Sequence, residues 1–141
     1  MKLKITFFSA ISALLLTACS SGNFSQSDLN NDIYNGYWAM TPVDDIHRVV
    51  KFETTGEVKI YDYTCDYQYQ SYKLNGTERY YLTTIGSNTF NVLDENKKAF
   101  SKFEITQLTK THLKAKQYFN DKSLGSLNLN YFNIKGAKPI C

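Results

Sequence analysis

From about residue 34 onward, apolar and polar residues alternate in short runs separated by turn residues. A period of two places one face of each run toward a core, which is the pattern of β-strands. The runs are rich in Val, Ile, Thr, Tyr and Phe, which suit a pleated, half-buried surface. Strands are predicted over Tyr34–Thr41, Ile46–Glu53 and Glu57–Tyr63, with Pro42-Val43-Asp44-Asp45 as a loop and Thr54-Thr55-Gly56 as a hairpin turn. Tyr67–Leu74 and Thr77–Ile85 flank Asn75-Gly76, the strongest short hairpin signal in the chain. Thr89–Leu93, Phe100–Thr106, His112–Phe119 and Gly125–Phe132 complete the set, and Lys135–Pro139 reads as coil with Ile140 and Cys141 pinned back. No comparable run has the 3.6-residue period of an amphipathic helix. The predicted fold is all-β: an antiparallel meander of about eight to nine strands, closed or nearly closed into a barrel, because closure removes exposed edges.

The N-terminus has a different pattern. Lys2 and Lys4 precede the apolar run Ile5–Leu16, which is well short of the roughly 20 residues needed to span a bilayer but has the length of a signal peptide. The run closes on Leu16-Thr17-Ala18-Cys19. This resembles the lipobox of bacterial lipoproteins. The resemblance implies cleavage before Cys19 and acyl chains, palmitate among them, on that residue. Two or three chains give a durable membrane anchor where one gives only marginal binding. It also implies a cell-envelope address. The absence of Asp after the cysteine points to the outer membrane, by default its periplasmic leaflet. The chain then divides into a signal peptide (residues 1–18), a lipidated Cys19 with a flexible Ser- and Asn-rich tether (19–33), and a β-barrel domain (34–141).

That division changes the reading of charge and cysteines. The formal +3 of the whole chain falls close to neutral once Lys2 and Lys4 leave. With no basic stripe, nucleic acid is not an expected partner. Lipidation of Cys19 leaves Cys65 and Cys141, and an even pair in an oxidising compartment predicts a disulfide. Neither cysteine has another Cys or a His at ligand spacing in sequence. Asp44-Asp45-x-His47 is only a sketch of a metal site, so neither metal nor cofactor is expected.

Gly36-Tyr37-Trp38 forms a G-x-W, followed by Val49-Val50-Lys51-Phe52, Gly56, Val58-Lys59-Ile60-Tyr61 and, later, Ile105–Thr109 before Leu113. This order resembles the small lipocalin-like domains of bacterial lipoproteins. The resemblance implies an eight-stranded barrel in which Gly36 and Trp38 pack across one end. Tyr63-Thr64-Cys65 with the terminal Cys141 is faintly similar to periplasmic lysozyme-inhibitor lipoproteins, whose resemblance implies a small barrel stapled to its C-terminus.

Two further features bear on function. Tyr61, Tyr63, Cys65, Tyr67 and Tyr69 share one parity, opposite to that of Val58 and Ile60. The core face is therefore expected to switch near Tyr61, through a bulge or turn around Asp62–Asp66. The tyrosines then fill the barrel and its rim, form a partner-binding patch or line a pocket. Arg48 shares parity with Ile46, Val50 and Phe52. Facing inward, it needs an internal carboxylate or an anionic ligand; at a strand end it reaches solvent. No nucleophile–base motif is evident, and the chain is read as a non-enzymatic binding module that docks an envelope partner through loops and tyrosines. The alternatives are a carrier or sensor of a small amphiphile and an inhibitor of a lysozyme-like or toxin enzyme.

Overall fold

The computed structural model describes residues 31–141; the signal, the lipobox and Cys19 lie outside the described residues. Eight strands form one closed barrel in sequence order, every neighbouring pair antiparallel. They are β1 (Tyr37–Met40), β2 (His47–Phe52), β3 (Glu57–Asp66), β4 (Ser71–Thr84), β5 (Thr89–Leu93), β6 (Ala99–Leu108), β7 (His112–Phe119) and β8 (Ser126–Ile134). Closure is made by β1 against β8, with Trp38 opposite Asn133 and Met40 opposite Tyr131.

Inward residues such as Trp38, Val50, Phe52, Ile60, Ile105 and Leu113 form the main core. One end of the barrel is closed. Trp38 is 0 % exposed, and its indole N–H donates to the Ile33 carbonyl at 2.8 Å. The helical turn at residues 31–34 thereby seats Ile33, 5 % exposed, over that end. Tyr34 lies in this turn and not in β1, which starts only at Tyr37; the buried apolar plug outweighs the local alternation.

The sequence reading fails at Asn75-Gly76. No hairpin turn forms there, and both residues lie inside β4. Asp62 pairs with Gly76 and Tyr63 with Leu74, so Asn75 is the extra residue of a bulge, and its side-chain amide donates to Thr64 Oγ1 at 2.5 Å. The real turn is at residues 67–70. There the Asp66 carboxylate accepts from the backbone N–H groups of Gln68 and Tyr69, both at 3.1 Å, and Gln70 takes a positive φ of 48°. Asx capping fixes this turn, while the Asn-Gly pair only permits one. Two expected strands thus merge into β4.

Among the described residues, Ser71–Tyr80 of β4 pair with β3 alone, because the ladder to β5 begins at Tyr81. Beyond Tyr63, where the β2–β3 ladder ends, residues 64–66 of β3 and 71–73 of β4 continue as a two-stranded ribbon, and the β4 edge has no strand partner among the described residues up to Tyr80.

Candidate functional site: the barrel interior

The interior is not packed solid. A cavity of about 410 Å³ lies between the walls, within the range of small-molecule sites. Val50, Phe52, Ile60, Phe103 and Leu129 give it apolar walls, as the inward half of each alternating strand must. The mouth is at the end opposite Trp38. Ile46, 44 % exposed, and the neighbouring Val43, Phe119 and Leu127 form an apolar rim in contact with solvent.

Polar groups are few and converge near the mouth. Arg48 of β2 faces inward, and its Nε and Nη2 donate to the two Asp62 carboxylate oxygens, each at 2.7 Å. Asp62 sits directly opposite Arg48 in the β2–β3 ladder. Glu78 pairs with Ile60, which brings its half-exposed carboxylate to the edge of the cavity, 4.0 Å from Arg48 Nη2. Tyr80, two residues on and on the same face, donates its hydroxyl to Glu78 Oε2 at 2.8 Å and packs against Phe100 with ring centroids 5.3 Å apart. The hydrogen bond to Asp62 raises the Arg48 pKa against the opposing effect of burial. Burial, then the bond to Glu78, pushes the Tyr80 phenol up to about 12. Tyr131, 5 % exposed, also lines the cavity. Burial drives its pKa far up, against a smaller lowering effect of Arg48.

The tyrosine stripe lies elsewhere. The core face does not switch along β3: Val58 and Ile60 stay inward, while Tyr61 and Tyr63 face out. Outward residues Ala39, Val49 and Tyr63 form a second small core with Tyr37, Tyr61, Ile134 and Ile140. The C-terminal tail covers this face. Tyr63 donates its hydroxyl to the Ala137 carbonyl at 2.8 Å, and a Cys65–Cys141 disulfide ties the last residue to β3. Burial also raises the Tyr63 pKa. The bulge foreseen at Asp62 exists, with its extra residue on β4. Tyr67 and Tyr69 sit on the turn of the ribbon, 65 % and 72 % exposed.

His47 also faces the tail. Its Nδ1 lies 2.9 Å from the Ile140 carbonyl oxygen, as a donor, and Tyr67 Oη lies 3.4 Å from Nε2. Ligand atoms of His47, Cys65 and Cys141 come within 4.8 Å of one another, but the disulfide consumes both thiols. Among the described residues no other group of three potential metal ligands converges.

Sequence reasoning singled out Arg48 but missed Glu78, Tyr80 and Tyr131. A signal for the first two was present: Glu78, Tyr80 and Leu82 share parity, and the expected hairpin at Asn75-Gly76 hid which strand they opposed.

A closed up-and-down barrel with one plugged end, one open end and an apolar interior defines a lipocalin-like architecture. Among solved structures, the chain is similar to a bovine odorant-binding protein complexed with its natural ligand, at 15 % identity over 76 % of this chain and 74 % of that one, with a TM-score of 0.43. It is also similar to a deswapped triple mutant of bovine odorant-binding protein, at 18 % identity over 73 % of this chain and 70 % of that one, with a TM-score of 0.37. The architecture rests on the barrel's own strand order. No protein-family model matches the chain, and no curated protein matches it.

Proposed function

We propose that the protein is a non-enzymatic binding protein that holds a small amphipathic molecule inside its barrel, anchored at the outer membrane by acyl chains on Cys19. The single observation supporting the ligand reading is the open cavity of about 410 Å³ with apolar walls and a polar cluster at its mouth. Eight strands enclose enough space for one small ligand only when the interior side chains leave it unfilled. Native mass spectrometry of protein isolated from its envelope tests this. A single small-molecule adduct is expected, absent from a Leu129→Trp variant that fills the cavity. A protein without an adduct that also refuses neutral apolar probes contradicts the reading. Labelling with a radioactive fatty acid, lost in Cys19→Ala, tests the anchor.

A second reading, a docking module, is supported by the ribbon. Its open β4 edge carries Tyr72 and Leu74, both exposed, next to Tyr67 and Tyr69. An unpaired edge flanked by aromatic residues suits strand addition by a partner. Crosslinking from position 72 in intact cells tests it. Crosslinks to one envelope protein are expected, and none in any growth condition contradicts it.

A further inference from the structure

The ligand reading leaves open the chemistry of the ligand's polar end. We propose that the cavity takes a cationic amphiphile, a protonated amine on an apolar body, with the nitrogen held at Glu78. This rests on the reading that the barrel interior binds a ligand.

An inward arginine invites the opposite conclusion, an anionic ligand. The geometry argues against it. Arg48 is already held by both oxygens of Asp62 at 2.7 Å, and a ligand carboxylate would have to displace a fixed bidentate partner. Such an anion would also face Glu78, 4.0 Å from the same guanidinium. The cavity and the groove beside its mouth are lined by three carboxylates, Asp45, Asp62 and Glu78, against the one guanidinium, and no lysine lines either. His47 borders the groove but is turned to the Ile140 carbonyl and Tyr67. Three carboxylates against one guanidinium leave two negative charges uncompensated by the lining, one of them on the half-exposed Glu78 at the mouth, which favours a cation there.

The free acceptor is specific. Glu78 Oε2 is taken by the Tyr80 hydroxyl at 2.8 Å, which orients the carboxylate, and Oε1 has no hydrogen bond among the described residues. The Tyr80–Phe100 pair stands beside it and offers aromatic faces to an ammonium group. Tyr131, which lines the cavity, adds a neutral hydroxyl able to hydrogen-bond a ligand. The apolar body then lies along Val50, Phe52, Phe103 and Leu129.

Calorimetric titration of the purified protein with octylammonium, octanol and octanoate, each below its aggregation concentration, tests the assignment. Octylammonium is expected to bind at least about tenfold more tightly than octanoate, with octanol between them. Glu78→Gln, nearly isosteric and able to keep the Tyr80 bond, is expected to weaken octylammonium at least about fivefold while leaving octanol within about twofold. Octanoate binding as tightly as octylammonium, or octylammonium binding unchanged by Glu78→Gln in a variant with native circular dichroism, overturns the amine assignment and leaves the ligand reading intact. Failure of all three probes to bind overturns both.

Discussion

Single residues decide where the barrel tolerates change. Gly36 has a φ of +79°, and a Cβ there would lie 2.6 Å from Asn133 Oδ1 and 2.9 Å from the Ile134 carbonyl oxygen. Gly36→Ala is therefore expected to cost about 1–3 kcal/mol, read as a lower urea midpoint with an unchanged slope. Removing Asp62 leaves the inward Arg48 without its main partner. Asp62→Ala is expected to lose about 1–2 kcal/mol, because the pair is partly solvated and Glu78 offers only a distant replacement. Tyr80 gives a pH signature. Its folded pKa of about 12 lies above the ordinary 10.0, so the folded state holds the phenolic proton more tightly than the unfolded chain. The associated stability is complete below pH 10.0 and is lost as the pH rises toward about 12. An ultraviolet titration should contain a late phenol that disappears in Tyr80→Phe. Some of these residues were legible in the sequence. Gly36 and Trp38 announced themselves as G-x-W, and Arg48 by its parity. Tyr131 did not, because whether an inward side chain of β8 borders open space depends on what the other seven strands place around it.

Elements were legible where local chemistry and long-range pairing agree. Gly56, with a φ of +85°, makes the β2–β3 turn that Thr54-Thr55-Gly56 promised. At Asn75-Gly76 they disagree. The β3–β4 ladder runs from Asp66–Ser71 to Glu57–Tyr81, and pairing on both sides of the Asn75 bulge holds Gly76 opposite Asp62. The tyrosine stripe was misread for a related reason. A strand with apolar residues on both faces looks like a change of face when a second layer covers the outside, and here that layer is the chain's own tail. The disulfide holds this layer in place across a sequence separation of 76 residues. In the chain-entropy account such a loop stabilises by at most about 4–5 kcal/mol. A Cys65→Ala, Cys141→Ala double variant is expected to lower the thermal midpoint. It should also make Lys135, which precedes Gly136, an early site of trypsin cleavage, while the closed barrel still resists. Tail cleavage as slow as in the parent protein would assign the tail's hold to Ile140, Tyr63 and His47 instead.

At the scale of the whole molecule, alternation and turns were enough to foresee a closed all-β meander, because period-two patterning and edge protection together leave few other arrangements. They could not reveal whether the interior is filled. Volume depends on how side chains from all the strands meet, and no single strand carries that information. The cavity places a polar cluster of Arg48, Asp62, Glu78 and Tyr80 at one end of an apolar chamber and a Trp38 plug at the other. The most direct test of the central claim is titration with a neutral, environment-sensitive dye small enough for a space of about 410 Å³. One equivalent is expected to bind with a strong blue shift in the parent protein and to be lost in Leu129→Trp with the fold intact. Equal binding by the parent and the filled variant, or no binding by either, would contradict the claim that the barrel interior is the site.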